Sequence, residues 1–303
     1  MSRVFVVGDW ILDKTTYVSV RGVSPESENV LVLQTKGQEA YNLGGAANVA
    51  ANVKSLGGDV LAVGCFGSDP EARKIEHLFD AAGIQYYCWT FAGRTTLKHR
   101  ICTSSGQYVR IDTEDVEAAK TGTIQSWEAS LPVTVLAGIK TDSVVCLVDY
   151  DKGCCTQNVI FDIVNACHKV GCPLLVDPGR TGDWERYGSR RTIFKVNLRQ
   201  AQTFCTKLRH PYKVALDPHE VYDGSVYEGL VHHVNRLAKR ANVHFSHLWL
   251  TLGAGGMVYA QPDAAATLIP HHAPLQVADV CGAGDTAMAV LAFHLARAGF
   301  GDT

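Results

Sequence analysis

Short apolar segments alternate with helix-length segments along most of the chain, most regularly after Gly122. Strands and helices in this order form a parallel sheet covered by helices on both faces, and right-handed crossovers make it doubly wound. We therefore predict an α/β fold on a doubly wound, mostly parallel sheet. The predicted strands are Val4–Val7, Val30–Gln34, Val60–Cys65, Val144–Val148, Leu174–Asp177, Ile193–Val196 and His247–Leu252, and the predicted helices are Gly44–Leu56, Pro70–Ala82, Gln157–Val170, Leu198–Lys207, Ser225–Arg240 and Thr286–Ala298.

One region departs from this alternation. Thr95–Thr103 and Gln107–Asp112 are β-rich segments joined by a Ser-Ser-Gly turn, which is a hairpin signal. Together with residues 10–36 they predict a small sheet that stands off the main body. Such a sheet is either a β-lid over a cleft or an ordinary edge hairpin. We expect a single domain over residues 1–303, with lid segments at 10–36 and 95–112.

Composition excludes several classes of protein. Hydrophobic residues make up 47% and charged residues 19%, which is typical of a globular chain. The net charge is −2 and no Lys/Arg-rich run is present, so a nucleic-acid partner is not expected. Gly8 and Asp9 interrupt the first apolar run, which argues against a signal peptide or a membrane span. The ten cysteines include no C-x-x-C pair, and we expect a reducing cytoplasm.

Polar residues follow several predicted strands, where doubly wound sheets bind their ligands. The sharpest local motif is Asp279-Val-Cys-Gly-Ala-Gly-Asp285, directly before an apolar helix. Gly282 and Gly284 let the backbone approach a ligand, and the unpaired N–H groups of a helix start bind anions. A carboxylate beside an anion site suits phosphoryl transfer, since it can take the hydroxyl proton. The same residues are also compatible with a tight turn and a helix N-terminus.

Two further glycine motifs lie earlier in the chain, one near the N-terminus and one shortly before the Asp279–Asp285 motif. Gly44-Gly45-Ala-Ala-Asn48 begins a predicted helix, and Asn48 offers a donor and acceptors that suit sugar hydroxyls. Thr251-Leu-Gly253-Ala-Gly-Gly256 either cradles nucleotide phosphates or forms a glycine hairpin. A P-loop, a Rossmann glycine fingerprint after the first strand and a G-x-S-x-G elbow are all absent from the sequence.

Taken in chain order, at 44–48, 251–256 and 279–285, the three glycine motifs resemble those of the ribokinase-like (PfkB) carbohydrate kinases. The resemblance covers nearly the whole chain. The stretches Val7–Asp13, Asp149–Gly153, Asp177-Pro178 and Asn197-Leu198 are most similar to the kinase domain of the bacterial heptose 7-phosphate kinase/ADP-heptose synthase family. That resemblance implies phosphorylation of the anomeric O1 of D-glycero-D-manno-heptose 7-phosphate, with ATP and Mg²⁺. It also implies a small-molecule sugar phosphate as substrate, no membrane partner, and a homodimer through the lid strands.

The resemblance assigns roles residue by residue. Asp285 is the expected base, and Gly282, Ala283 and Gly284 form the expected anion hole. The sugar is expected at Asp13, Gly44, Gly45 and Asn48, and the nucleotide at Lys195, Asn197, Thr251, Gly253 and Gly256. Arg21, Lys98, Arg100 and Lys152 are candidates for the substrate phosphate, or alternatively solvated surface charges. No metal ligand is assigned.

Three features depart from the family pattern. Gln200 stands where the family has a glutamate that helps to organise Mg²⁺, which predicts slow turnover or altered metal placement. Cys281 replaces a small residue, usually Thr, and matters less because the backbone forms the anion hole. The sequence ends at Thr303, where relatives usually continue for another helical segment, so we expect either a short natural form or a fragment.

Three hypotheses follow. The first is a heptose 7-phosphate 1-kinase that uses Mg·ATP. The second keeps the fold and changes the sugar, as in a ribokinase or fructokinase. The third, which Gln200 and the short C-terminus allow, is an inert protein that binds sugar phosphate or nucleotide.

Overall fold

The computed structural model describes residues 2–104, 106–127, 131–214, 216–217, 220–271 and 281–299. The strands are β1 (Val4–Gly8), β2 (Trp10–Ser24), β3 (Ser27–Gly45), β4 (Val60–Gly67), β5 (Gln85–Phe91), β6 (Leu97–Thr103), β7 (Gly106–Thr113), β8 (Val144–Val148), β9 (Leu174–Asp177), β10 (Thr192–Asn197), β11 (His247–Thr251), β12 (Met257–Ala260) and β13 (Thr267–Ile269). The helices are α1 (Ala46–Ser55), α2 (Pro70–Ala81), α3 (Val116–Trp127), α4 (Leu131–Gly138), α5 (Gln157–Val170), α6 (Leu198–Lys207), α7 (Gly224–Arg240) and α8 (Ala283–Ala298).

Nine strands form the main sheet, in the order β13-β12-β11-β10-β9-β8-β1-β4-β5. The seven strands from β11 to β5 in this order pair in parallel, and β12 and β13 add an antiparallel edge. This confirms the predicted α/β fold with a mostly parallel sheet. The carboxyl ends of the parallel strands meet at one edge, where a ligand cleft is expected.

Helices cover both faces of this sheet because its central strands are apolar on both sides. Alternate residues of β1 belong to different cores: Val4 and Val6 pack with α1, α2 and α8, whereas Phe5 and Val7 pack with α3 to α7. Lys195 of β10 and Asp177 of β9 are two residues beyond Ile193 and Leu175, which belong to the α8 core. The two-residue period therefore directs both charged side chains toward α8.

A second sheet has four strands in the order β3-β2-β6-β7. The pair β2–β6 is parallel, from Leu12↔Leu97 to Tyr17↔Cys102, and the other pairs are antiparallel. Beyond Tyr17, β2 continues in the structure as a two-stranded ribbon with β3. These strands include the predicted lid segments; their action as a lid stays a prediction.

Several boundaries differ from the sequence-based expectation. The helix predicted from Gly44 begins at Ala46, because Gly44 and Gly45 continue the β3 ladder opposite Ile11 and Trp10. Helix α8 begins at Ala283 rather than Thr286. The sequence prediction missed β5, β13, α3 and α4, whereas β12 is the second strand of the glycine hairpin considered for residues 251–256. Of the missed elements, α3 contains a glycine and two threonines, and α4 is apolar except for Thr134, so neither gives a clear amphipathic period.

Candidate active site

The turn before α8 leaves backbone N–H groups without an intrahelical partner. Gly282 precedes the helix with φ +78°, a left-handed conformation that favours glycine, and a Cβ there would lie 2.9 Å from Asn48 Nδ2. The first intrahelical donor at this end is the Thr286 N–H, 2.8 Å from the Gly282 carbonyl. The N–H groups of the preceding helical residues lack an intrahelical partner and suit an anion. Asp279 and Val280 of the motif lie outside the described residues.

Asp285 lies in the first turn of α8 and is 5% exposed. Its Oδ2 accepts a hydrogen bond from Asn48 Nδ2 at 2.8 Å, and its Oδ1 accepts one from the Tyr150 hydroxyl at 2.7 Å. Burial raises the pKa of Asp285, whereas these two hydrogen bonds and the Lys195 charge oppose the increase. The arrangement supplies an oriented carboxylate in the same turn as the backbone N–H groups that suit an anion.

A buried ion pair lies against the same turn. Lys195 Nζ pairs with Asp177 Oδ2, and it also lies 3.4 Å from the Gly284 carbonyl oxygen. Gln200 donates from Nε2 to the other oxygen of Asp177 at 2.8 Å and to the Pro178 carbonyl at 2.6 Å. The structure therefore groups Lys195 with the α8 turn and Asp177, and Gln200 is fully engaged within the protein.

The loop after β8 carries Tyr150, and Asp9 holds this loop. Asp9 Oδ2 accepts backbone N–H bonds from Tyr150 at 2.7 Å and Lys152 at 3.0 Å, and Oδ1 accepts one from Cys154 at 2.9 Å. Burial raises the pKa of Asp9, and burial beside Asp9 raises the pKa of Asp149 to about 7. The loop backbone is thus fixed by one buried carboxylate.

The expected sugar residues meet where β2 and β3 leave the main sheet. Asp13 and Gly44 lie on neighbouring strands, and a Cβ at Gly44 would lie 2.4 Å from Asp13 Oδ2. Gly45 immediately precedes α1, which carries Asn48 to Asp285. Asp13 Oδ1 also accepts from Arg100 at 2.5 Å, so Arg100 is paired with a residue of the expected sugar site.

The four phosphate candidates have different surroundings. Lys152 pairs with Glu114. Arg21 is exposed, bonds to Gln34 at 2.7 Å, and lies four residues beyond Tyr17 along β2, roughly 13 Å at about 3.3 Å per residue. The structure therefore places Arg21 away from the other candidates.

Lys98 is the candidate that lies over Tyr150, the residue whose hydroxyl bonds to Asp285. Its Nζ lies 5.1 Å from the centre of the Tyr150 ring, and in the described part of the chain no carboxylate lies within ion-pair distance of it. Burial lowers the pKa of Lys98, Asp13 opposes this, and the positive charges of Arg180, Arg100 and Arg110 add to it. A half-buried ammonium among other cations is suited to an anionic ligand.

The expected nucleotide residues lie further along the same sheet edge. Asn197 of β10 is opposite Thr251 of β11, and Thr251 Oγ1 donates to the Val196 carbonyl at 3.3 Å. The turn after β11 contains Gly253 and Gly256 with φ +58° and +91°. A Cβ at Gly256 would lie 2.2 Å from the Ile269 carbonyl, so this turn requires glycine.

One group of side chains has the proximity of a metal site but not the chemistry of a magnesium site. Among the described residues, Asp9, Asp149 and Cys155 bring ligand atoms within 4.8 Å of one another. The oxygens of Asp9 already accept three backbone hydrogen bonds, and a thiol is a poor ligand for Mg²⁺. These residues do not fit that ion.

The sequence analysis assigned no site role to Tyr150, Asp177 or Arg180, although Tyr150 and Asp177 lie in stretches that carry the family resemblance. Tyr150 lies two residues after β8, and Asp177 ends β9, so their place at the carboxyl edge of a parallel sheet was the available signal. Arg180 gave no such signal, because the loop after β9 that brings it near Lys98 and Tyr150 is irregular. No helix in the described ranges is long and apolar enough to cross a membrane.

The chain is similar to known proteins over nearly its whole length. Residues 1–301 match the profile of the pfkB family carbohydrate kinase. The chain is 31% identical over 297 residues to a bifunctional protein HldE of Methylococcus capsulatus, covering 98% of this chain and 56% of the relative. It is 32% identical over 295 residues to a bifunctional protein HldE of Campylobacter jejuni, covering 97% of this chain and 56% of the relative. The chain thus spans a little over half the length of these relatives.

Solved structures show the same fold. Ribokinase from Giardia lamblia superposes with a TM-score of 0.71 at 16% identity, over 98% of this chain and 83% of the other. The tetrameric inhibited form of Escherichia coli phosphofructokinase-2 superposes with a TM-score of 0.69 at 15% identity, over 99% of this chain and 88% of the other. Ribokinase from Cryptococcus neoformans var. grubii, in complex with ADP, superposes with a TM-score of 0.67 at 18% identity, over 99% of this chain and 89% of the other.

Proposed function

The chain belongs to the pfkB family of carbohydrate kinases and is a phosphotransferase acting on a sugar hydroxyl, and from this premise we propose that it transfers the γ-phosphate of ATP to the anomeric O1 of D-glycero-D-manno-heptose 7-phosphate. The observation that supports the transfer most directly is the position of Asp285. Its carboxylate belongs to the same first turn of α8 as backbone N–H groups that lack an intrahelical partner, and it bonds to Tyr150 just beyond the end of β8.

In the proposed reaction, Asp285 takes the proton of the acceptor hydroxyl while the hydroxyl oxygen bonds to the γ-phosphorus. The bond from that phosphorus to the β–γ bridging oxygen breaks, and ADP leaves with the bond electrons. The backbone at Gly282, Ala283 and Gly284 offers N–H groups to the phosphoryl oxygens, which carry negative charge during transfer. Asn48 and Tyr150 hold the carboxylate, while Asp13, Gly44 and Gly45 shape the sugar side. Asp285 is buried from water, which strengthens these electrostatic interactions.

The heptose substrate is a proposal supported by two observations. Several stretches of the sequence resemble the heptose 7-phosphate kinase family, and the chain is similar over 97–98% of its length to HldE proteins. Lys98 offers an ammonium without a carboxylate partner in the described residues, above the ring of the tyrosine that bonds to Asp285. We propose that Lys98 and Arg180 bind the phosphate that the sugar already carries, at the end away from the acceptor hydroxyl.

The nucleotide is proposed to bind along Asn197, Thr251, Gly253 and Gly256, with Lys195 near the transferred phosphate. Mg²⁺ commonly binds through nucleotide phosphates and water rather than in an all-protein cage, and we propose that it arrives with ATP. We further propose a cytoplasmic homodimer that pairs through the lid strands.

The proposed base is tested by Asp285→Asn. The amide retains an oxygen for Asn48 Nδ2 and an NH₂ for the Tyr150 oxygen, so the fold should persist. We expect kcat to fall by about 10²–10⁴ while the melting temperature stays close to wild type. The matched control is Asp80→Asn, an exposed aspartate at the end of α2, which should retain wild-type turnover. Near wild-type turnover in Asp285→Asn would disprove the mechanism.

The substrate is tested by ADP release over a panel of phosphorylated and free sugars. Heptose 7-phosphate is expected to have the highest kcat/KM, and the free heptose a much lower value. If loss of the phosphate leaves kcat/KM unchanged, the alternative is a kinase for another sugar, as among the ribokinase and phosphofructokinase-2 neighbours. Calorimetric binding without ADP release over hours would instead support an inert sugar-phosphate or nucleotide-binding protein, the hypothesis that Gln200 raised.

A further inference from the structure

The phenol of Tyr150 lies between the small sheet and the carboxylate of Asp285. Its hydroxyl donates to Asp285 Oδ1 at 2.7 Å, and its ring lies under Lys98 Nζ, which belongs to β6. The small sheet, through Lys98, and helix α8, through Asp285, thus contact different parts of the Tyr150 side chain. The Tyr150 backbone N–H is bound by Asp9 at 2.7 Å, so the ring projects from a fixed loop.

We propose that Tyr150 is a positioning residue that orients the Asp285 carboxylate and keeps it ionised when the acceptor hydroxyl binds. The proposal rests on the proposed role of Asp285 as the base. It concerns the tyrosine hydroxyl, which acts on Asp285 and not on the sugar.

Orientation follows from the hydrogen bonds. Each carboxylate oxygen of Asp285 accepts one bond, Oδ2 from Asn48 and Oδ1 from Tyr150, so rotation of the carboxylate would break both. Each oxygen keeps a further lone pair for the acceptor hydroxyl. A base held in this way needs no reorganisation when the sugar arrives.

Ionisation follows from the charges that face Asp285. Lys195 on β10 stabilises the carboxylate, and Asp177 on β9 opposes it. Arg180 is near the tyrosine ring and Lys98 lies over it. Burial, together with the charges of Asp285 and Asp177, raises the pKa of Tyr150 far above its ordinary value. The phenol therefore keeps its proton at neutral pH and can donate it in the hydrogen bond to Asp285.

Tyr150→Phe removes this donor and retains the ring under Lys98. The hydrogen bond favours the charged carboxylate, so its loss raises the pKa of Asp285, and the rising acid limb of the kcat–pH profile moves to higher pH. A hydrogen bond to a charged group corresponds to a shift of about one pH unit. At pH values below the acid limb, kcat of the variant should be about tenfold lower than kcat of the wild type. The two kcat values should approach each other as pH rises.

The matched control is Tyr187→Phe. Tyr187 is 1% exposed and donates to another buried aspartate, Asp149 Oδ2, at 2.6 Å, but it does not contact Asp285. This control should lower the melting temperature and leave the acid limb at the wild-type pH. A pH-independent loss of kcat in Tyr150→Phe, with the limb unmoved, would overturn the proposal and leave the kinase function intact.

A measurement without substrate separates the two proposals. The aspartate carboxyl carbons are titrated by NMR in the wild type and in Tyr150→Phe, with Asp285→Asn used to assign the Asp285 signal. A higher pKa of Asp285 in the variant supports the positioning role even if no sugar is phosphorylated. An unchanged pKa contradicts it even if the wild type is an active kinase.

Discussion

Single residues decide which charges of the cleft are available to a ligand. Four cations were candidates for the substrate phosphate, and their neighbours distinguish them. Arg100 is paired with Asp13, Lys152 is paired with Glu114, and Arg21 lies out on the ribbon. Lys98 combines partial burial with a position over the Tyr150 ring, a contact that spacing in the sequence does not predict.

The proposed phosphate contact is tested by Lys98→Met, which keeps the apolar stem and removes the charge. We expect KM for the phosphorylated sugar to rise about tenfold or more, since charge-assisted bonds to phosphate are strong, with little change in KM for ATP. Lys14→Met is the control: Lys14 is also in the small sheet, on its opposite face, and pairs with Glu39. Equal KM values for Lys98→Met and wild type would reject Lys98 as the phosphate contact.

At the scale of elements, the start of α6 joins helix capping to the active site. Asn197 Oδ1 accepts the Gln200 N–H at 2.9 Å, and Gln200 Oε1 accepts the Asn197 N–H at 2.7 Å, which is a capping box. The other end of the Gln200 side chain donates to Asp177. A glutamate could complete the capping box but, when ionised, could not donate to Asp177. Gln200, which stands where the family has a glutamate, thus supplies a hydrogen-bond donor to the buried pair of Asp177 and Lys195.

Gln200→Glu is therefore expected to destabilise the fold. At neutral pH it places a carboxylate beside Asp177 and removes a buried donor, at a cost of about 3 kcal/mol of unfolding free energy. The pKa of the new carboxyl should lie above its unfolded value, so the deficit shrinks as pH falls and the protonated acid regains a donor. Urea unfolding at two pH values measures this.

Gln202→Glu, on the same helix, is the control. It loses one donor to the Leu216 carbonyl and gains no carboxylate neighbour from Asp177, so its deficit should be smaller. If Gln200→Glu has the wild-type free energy of unfolding, or loses the same amount at both pH values, the interpretation is contradicted.

For the molecule as a whole, the small sheet leaves apolar surface uncovered. The ribbon beyond Tyr17 is two-stranded in the described residues and exposes Val20, Val23 and Leu31 by 49%, 56% and 43%. Two-stranded ribbons are marginally stable alone in water, so a partner surface is expected. A second copy satisfies this requirement symmetrically, because the same patch on both subunits forms the interface.

Val23→Asp is expected to convert the proposed dimer to a monomer in sedimentation at micromolar protein, because two charges would be buried in the interface. Val221→Asp, at a position 62% exposed and away from the ribbon, should leave the dimer intact. A wild-type monomer at the same concentration would refute the dimer.

The sequence by itself determined the layered fold and the likeness to carbohydrate kinases. Both depend on local patterns: apolar runs of strand length, helical spacing, and glycines where the backbone turns or approaches a ligand. The parallel order of the strands followed from those patterns because crossover connections permit few alternatives. The Asp285 turn was also visible, since its glycines and carboxylate are contiguous in the chain.

Only the tertiary structure decided which side chains face one another. The side chains around Asp285 come from separate parts of the chain: Asn48 from α1, Tyr150 from the loop after β8, Asp177 from β9 and Lys195 from β10. Burial raises the pKa values of Asp9, Asp149 and Asp285, and it depends on helices distant in the chain. Contacts of this kind arise from packing between elements, and single-sequence periodicity does not encode packing.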